Sequence, residues 1–264
     1  MTKAHIDIEG LGAIRRIWLN RPDKGNAQTL QMMIDLDAAL TAAEDDDSVR
    51  VIVIAGRGRN FCAGHDLKEF ETDRADFTVE QRRAYELRHY LEKSLRLWDC
   101  KKPTISQVQG ACIAGGHMLA NMTDLIVASE DAYFWDSATH AMGVASTELL
   151  FEPWVMGLRH AKEFLFTNER ITAAEAYRIG MINRVVPLDV LSETTLTLAG
   201  KIAAAPPFAI QTLKASLNRT ADIQGFRNAI LAHFDVHQLS HASGAFEESR
   251  SSGLHKVVAR NKET

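Results

Sequence analysis

The stretch Val51-Ile52-Val53-Ile54-Ala55-Gly56-Arg57-Gly58-Arg59-Asn60-Phe61-Cys62-Ala63-Gly64-His65-Asp66-Leu67 decides the fold class. Together with Val49, its first part is an almost continuous apolar run, the pattern of a strand buried on both faces. A glycine-bearing loop follows, and then a predicted helix. The same order recurs further on. Thr104-Ile105-Ser106-Gln107-Val108 reads as a strand, Gly110-Ala111-Cys112-Ile113-Ala114-Gly115-Gly116-His117 as the loop, and a helix is predicted next. A strand that ends in a glycine turn and opens a helix points free backbone N–H groups outward. Two such groups converging on one point form an oxyanion hole.

The flanking chain alternates between strand and helix. Ile14 to Leu19 reads as a strand, broken at Arg21-Pro22. Thr29 to about Glu44 reads as a helix with Met33, Leu36, Ala39 and Leu40 on one stripe. Val79 to Trp98 carries a second stripe, Leu87, Leu91, Leu95 and Trp98. Strands are predicted at Asp124 to Ala128 and Ala132 to Trp135. This order predicts an α/β core with crossover connections. Thr172-Ala173-Ala174-Glu175 has capping-box spacing, and Gly180 stands where that helix would end. From Leu191 onward the pattern is helical, interrupted at Pro206-Pro207, with no strand signal before Val257-Val258. The shift divides the chain into a core, residues 1–200, and a helical C-terminal region, residues 201–264. Phe208, Ile210, Leu213, Leu217, Phe226, Ile230, Phe234 and Leu239 are more apolar surface than an isolated arm can bury. Docking on the core or on another subunit is expected.

The 264 residues suffice for a sizeable core. Hydrophobic residues at 46% and charged residues at 24% are ordinary for a globular protein. A net charge of −4 and a pI near 6.2 give no electrostatic case for nucleic acid. No apolar run reaches the length of a membrane span, and Met1-Thr2-Lys3-Ala4-His5-Ile6-Asp7 has no apolar signal core. Cys62, Cys100 and Cys112 are odd in number and lack metal-ligand spacing, so a reducing, cytoplasmic setting is expected.

Over nearly its whole length the chain resembles the crotonase superfamily, the enoyl-CoA hydratase/isomerase family. The resemblance runs from Leu19-Asn20-Arg21-Pro22 through Phe61-Cys62-Ala63-Gly64-His65-Asp66-Leu67 and Lys102-Pro103-Thr104 to Gly110 and Gly115-Gly116. It continues in Thr123-Asp124-Leu125-Ile126-Val127-Ala128-Ser129 and Gly180-Met181-Ile182-Asn183-Arg184-Val185-Val186-Pro187. It implies an α/β, crotonase-like spiral of ββα units with a helical C-terminal arm, assembled as a homotrimer or hexamer. It also implies an acyl-CoA thioester as substrate. The carbonyl would sit between the backbone N–H groups of His65 and Gly115, which would stabilise an enolate. Ala63 and the segment His65-Asp66-Leu67-Lys68 would line the thioester and pantetheine, and Lys24 would help hold the nucleotide end. Both lysines read equally well as solvated surface residues. At Gly115 and Gly116 a side chain would obstruct close approach of a ligand to the backbone. No cofactor is implied beyond the coenzyme A of the substrate.

The acid and base depart from the pattern. By resemblance, hydratases use two glutamates. One position corresponds here to Met118, which cannot usefully transfer a proton. The other falls within Trp135-Asp136-Ser137-Ala138-Thr139-His140, which contains no glutamate. Glu148 is the leading substitute, at the expected start of a helix Glu148-Leu149-Leu150-Phe151, where it could equally be there for the helix dipole alone. Asp136 and His140 are weaker candidates. His117 is expected to point away from the ligand, Asp124 to be a packing carboxylate and Cys62 to be buried. His233, His237 and His241 recur at helical spacing that could hold a metal. No acidic partner accompanies them in sequence, so helix packing or a subunit contact is expected and no metal site is assigned. The resulting expectation is an acyl-CoA-binding hydratase/isomerase-type enzyme working through an enolate, most simply an enoyl-CoA hydratase. The alternatives are a double-bond isomerase, thioester hydrolase or dehalogenase using Glu148, or a non-catalytic acyl-CoA-binding protein.

Overall fold

The computed structural model describes residues 4–254 and 256. The Val257-Val258 signal lies outside them. In chain order the core contains β1 (Ile6–Leu11), β2 (Ile14–Leu19), α1 (Leu30–Asp45), β3 (Val51–Gly56), α2 (Leu67–Asp73), α3 (Val79–Glu86) and α4 (Glu92–Trp98). Then come β4 (Thr104–Val108), β5 (Ala111–Ile113), α5 (Gly115–Asn121), β6 (Leu125–Ser129), β7 (Tyr133–Trp135), α6 (Glu152–Val155) and α7 (Gly157–Thr167). The last elements are β8 (Ile171–Thr172), α8 (Ala173–Arg178), β9 (Arg184–Val186), α9 (Leu191–Ala203), α10 (Pro207–Ile223), α11 (Phe226–Ser240) and α12 (Gly244–Ser252).

Six strands form one sheet in the order β1-β2-β3-β4-β6-β9, antiparallel between β1 and β2 and parallel elsewhere. A smaller sheet has the order β5-β7-β8. The apolar run of β3 is explained by what covers it. Ile52 and Ile54 enter the main core with Leu36, Leu40 and Leu91. Val51 and Val53 face the other way and pack with Ile105, Val127 and, on α9, Leu191 and Ala199. Alternate residues thus serve opposite faces, and both faces are dry.

The second glycine loop is more structured than strand-turn-helix. A turn at Gly110 leads into β5, and α5 starts only after it. The long predicted helix is continuous from Val79 to Trp98 but contains a π turn at Leu87–Leu91. Such an insertion often marks a functional position, and this one carries Tyr90. Among the described residues no helix is long and apolar enough to cross a membrane.

Candidate active site

The two loops are sewn together by backbone bonds. Cys62 N–H donates to Ala111 O at 3.0 Å, and Ile113 N–H donates to Cys62 O at 2.9 Å. The first loop thereby lies beside β5 as a bridging strand. On its other side Gln28 N–H donates to Gly64 O at 2.8 Å, and Asp66 N–H donates to Gln28 O at 2.9 Å. This parallel bridge skips His65, so the His65 N–H has no backbone acceptor among the described residues. Gly115 opens α5, and its N–H belongs to the first turn, outside the helical ladder. It too has no backbone acceptor among the described residues. The residue before it, Ala114, has φ 45° and ψ −115°, a conformation costing on the order of 1–3 kcal/mol for a non-glycine residue.

Packing of one loop on the other is a second reason for glycine here, beside the expected approach of a ligand. A Cβ on Gly116 would lie 2.4 Å from Cys62 O. One on Gly115 would lie 2.7 Å from the imidazole of His65.

His65 and Gly115 both border a two-lobed cavity. The larger lobe encloses about 790 Å³, open to solvent, and the smaller about 490 Å³. His65, Tyr90, Gly115 and Met118 line both. The large lobe brings together Asp136, Ser146, Glu148, Glu86, His237 and His241 on one side, with Leu67, Phe70 and Val144 as its apolar wall. Ala63 lines it as well.

Glu148 lies in this lobe, 6% exposed. Its expected place at a helix start is corrected: residue 148 is in a turn, and α6 begins at Glu152, with Pro153 in its first turn. No helix dipole acts on Glu148 from that direction. Its Oε1 lies 3.7 Å from Nε2 of His65. Among the described residues neither this oxygen nor either ring nitrogen of His65 has a hydrogen-bond partner. The His65 ring is held by stacking on Tyr90, with centroids 3.7 Å apart and planes inclined by 11°. The side chain of His65 is therefore part of the site, where sequence reasoning used only its backbone. The signal was the glycine beside it, because the imidazole occupies the space a residue at 115 would fill.

Asp136 also lines the lobe. Its Oδ1 accepts from Ala138 N–H at 2.9 Å and from Ser146 Oγ at 3.0 Å. Burial raises its pKa despite these bonds, and the field of Glu148 adds to the rise. His140 does not belong to the site. A π turn at Ala138–Met142 carries it to the surface, where Nε2 bonds the carbonyl of Phe166 at 2.8 Å. Met118 stands beside Gly115 with no carboxylate in its place.

The remaining assignments divide by burial. Asp66 caps α2, accepting from the N–H groups of Lys68 and Glu69, and pairs with Arg21 at 2.8 Å. Its carboxylate serves the loop and does not line the cavity. Lys24 and Lys68 are exposed, at the two ends of the loop contact. His117 is buried among Phe134, Phe151 and Phe164 and outside the cavity. Burial lowers its pKa to about 3. Burial pushes the Cys62 thiol up to about 12, so it is no nucleophile. Asp124 ties Thr104 to Lys214.

The acidic partner missing from the histidine series comes from α3. Glu86 reaches His237 and His241 of the C-terminal region, while His233 is not part of this group. Burial opposes charge on His237, but the Glu86 carboxylate 3.5 Å away and the field of Glu148 outweigh it and raise its pKa to about 9.

Residues 9–260 match the family model described as enoyl-CoA hydratase/isomerase. The chain belongs to this family. A putative enoyl-CoA hydratase, EchA13, from Mycobacterium tuberculosis is 40% identical over 248 residues, covering 88% of this chain and 78% of that protein. The crystal structure of a probable enoyl-CoA hydratase from Mycobacterium smegmatis superposes with a TM-score of 0.85 at 44% identity, covering 90% of this chain and 95% of that one. An enoyl-CoA hydratase/isomerase from Xanthobacter autotrophicus Py2 superposes with a TM-score of 0.90 at 34% identity, covering 98% of each chain. The crotonase fold and an acyl-CoA-binding enzyme follow from this membership. Within the hydratase/isomerase family a shared fold does not choose the reaction, so the choice rests on the side chains in the cavity.

Proposed function

We propose that the chain moves the double bond of an enoyl-CoA thioester, with Glu148 as the proton-carrying base. The observation that carries this reading is the unpartnered Oε1 of Glu148, in the same lobe as the free N–H groups of His65 and Gly115. The thioester oxygen accepts from those two N–H groups. Glu148 removes a proton from the α carbon of a 3-enoyl thioester, the electron pair delocalises into a dienolate, and the proton returns at the γ carbon. One carboxylate suffices for this shift. Hydration also needs a second group to activate water, and Met118 leaves the position beside Gly115 without one. Asp136, held towards its protonated form by burial, supports the leaving and returning proton without competing as a base.

Lys24 and Lys68, exposed beside the loop, are proposed to meet the phosphates of coenzyme A. The chain is proposed to assemble as a trimer. Phe208, Leu213, Leu217, Ile223 and Leu239 stay more than half exposed in the single chain, and apolar patches of this kind mark subunit contacts. Sedimentation of the purified protein tests the assembly.

The reaction is tested by incubating the enzyme with a 3-enoyl-CoA and with crotonyl-CoA in D₂O. The expected result is conversion of the 3-enoyl to the 2-enoyl thioester with deuterium gained, and slower hydration of crotonyl-CoA. Glu148→Gln should lower the conversion by roughly 10²–10⁴-fold and leave acyl-CoA affinity unchanged. Faster hydration than isomerisation would make the chain a hydratase. Saturable binding without turnover of either substrate would make it a binding protein.

A further inference from the structure

We infer that Glu86, His237 and His241 form a binding site for one divalent transition-metal ion of the zinc class, in the wall of the acyl cavity. The three potential ligand atoms form a nearly regular triangle. Nε2 of His237 and Nε2 of His241 are 3.2 Å apart, and Oε2 of Glu86 is 3.5 Å from the first and 3.6 Å from the second. Zinc binds imidazole nitrogen and carboxylate oxygen at about 2.0–2.2 Å, which in a tetrahedral site separates ligands by about 3.3–3.6 Å. The two Glu86 distances are too long for charge-assisted hydrogen bonds, which close to about 2.7–2.9 Å, while the two ring nitrogens are within hydrogen-bond reach of each other. All three side chains are 5–7% exposed.

The surroundings orient the ligands as a metal requires. Nδ1 of His237 donates to the carbonyl of Ala145 at 2.5 Å, which leaves Nε2 as the ring atom turned towards the other two groups. Gln238 donates to Oε2 of Glu86 at 2.6 Å and fixes the carboxylate. The two imidazole planes are 88° apart and fan around the common point. Nδ1 of His241 is buried without a partner among the described residues. His241 also lines a separate solvent-open recess of about 690 Å³, together with Asp76, Glu247, Arg82 and Arg250, which gives an ion a route in. Because all three ligands line the large lobe, the remaining coordination position faces the acyl cavity.

The sequence series His233, His237 and His241 was read without a metal because the third ligand stands on α3. The site is independent of the reaction proposed above. The test titrates the untagged full chain, cleared of metal by a chelator, with Zn²⁺ by calorimetry and with Co²⁺ by visible absorption. The expected result is uptake of about one equivalent per chain with proton release, and the intense visible bands of tetrahedral Co²⁺. Glu86→Gln and His241→Ala, with folding checked by circular dichroism, should each weaken uptake at least tenfold, and His233→Ala should leave it unchanged. No saturable uptake by the wild type would overturn the site. So would uptake unaffected by both Glu86→Gln and His241→Ala, or weakened as much by His233→Ala.

Discussion

At position 115 the nearest neighbours of an added methyl are the His65 imidazole, at 2.7 Å, and Oε1 of Gln28, at 2.9 Å. Gly115→Ala should therefore lower both the melting temperature and turnover by pushing the two N–H groups apart. Removing the obstruction tests the cause: in Gly115→Ala/His65→Ala the stability penalty should shrink, with a coupling of about 0.5–3 kcal/mol. Purely additive losses by thermal denaturation would mean that the methyl clashes elsewhere. Met118 offers the opposite experiment. Met118→Glu puts a carboxylate beside Gly115, where the chain has none, and crotonyl-CoA hydration should rise towards the 10²-fold scale of one positioned acid/base. No gain in a folded variant would show that 118 does not face the reacting carbons. At this scale the cavity position of His65, Gly115, Glu148 and Asp136 was legible, through the loop spacing and the family resemblance together. The His65 ring and Glu86 were not legible, since their places depend on Tyr90 and on a helix remote in sequence. His140 was misplaced because nothing in its neighbours announced a π turn.

Among the elements, β3 was legible because a strand covered on both faces writes a long apolar run. β5, β8 and β9 have only two or three residues each, too few for a period to show. Helix α6 was started four residues early, although Pro153, favoured in a first turn, was the available signal. The first turn of α2 matters more for the site. Asp66 caps that helix and holds Arg21, which in turn donates to Ala27 O at 2.6 Å. Asp66→Ala should cost about 1 kcal/mol from the lost cap and more from the freed Arg21. It should also raise KM for acyl-CoA while changing kcat less. Equal effects on kcat and KM would place Asp66 nearer the chemistry than its contacts do.

For the molecule as a whole, two buried groups, His117 on α5 and Glu152 at the start of α6, should contribute to the pH dependence of stability. His117 and Glu152 lie 4.0 Å apart, both buried, and burial favours the neutral form of each. His117 falls from 6.5 to about 3 on folding. Its contribution is intact above pH 6.5 and is lost as pH falls towards 3, because the unfolded chain then binds the extra proton. Glu152 is raised well above 4.5, so its contribution is intact below 4.5 and is lost as pH rises. Melting temperatures across pH should separate the two. His117→Gln should flatten the acid limb, and Glu152→Gln should gain on the wild type increasingly above pH 4.5. Curves parallel to the wild type in both variants would remove this pair from the account. The cavity also has a history written into chain order. Gln28, His65, Tyr90, Gly115 and Glu148 all precede the wall supplied by His237 of α11 and by His241, just past its end. Synthesis runs from the amino end, so every nascent chain shorter than 241 residues has an unfinished pocket, and binding competence waits for that residue.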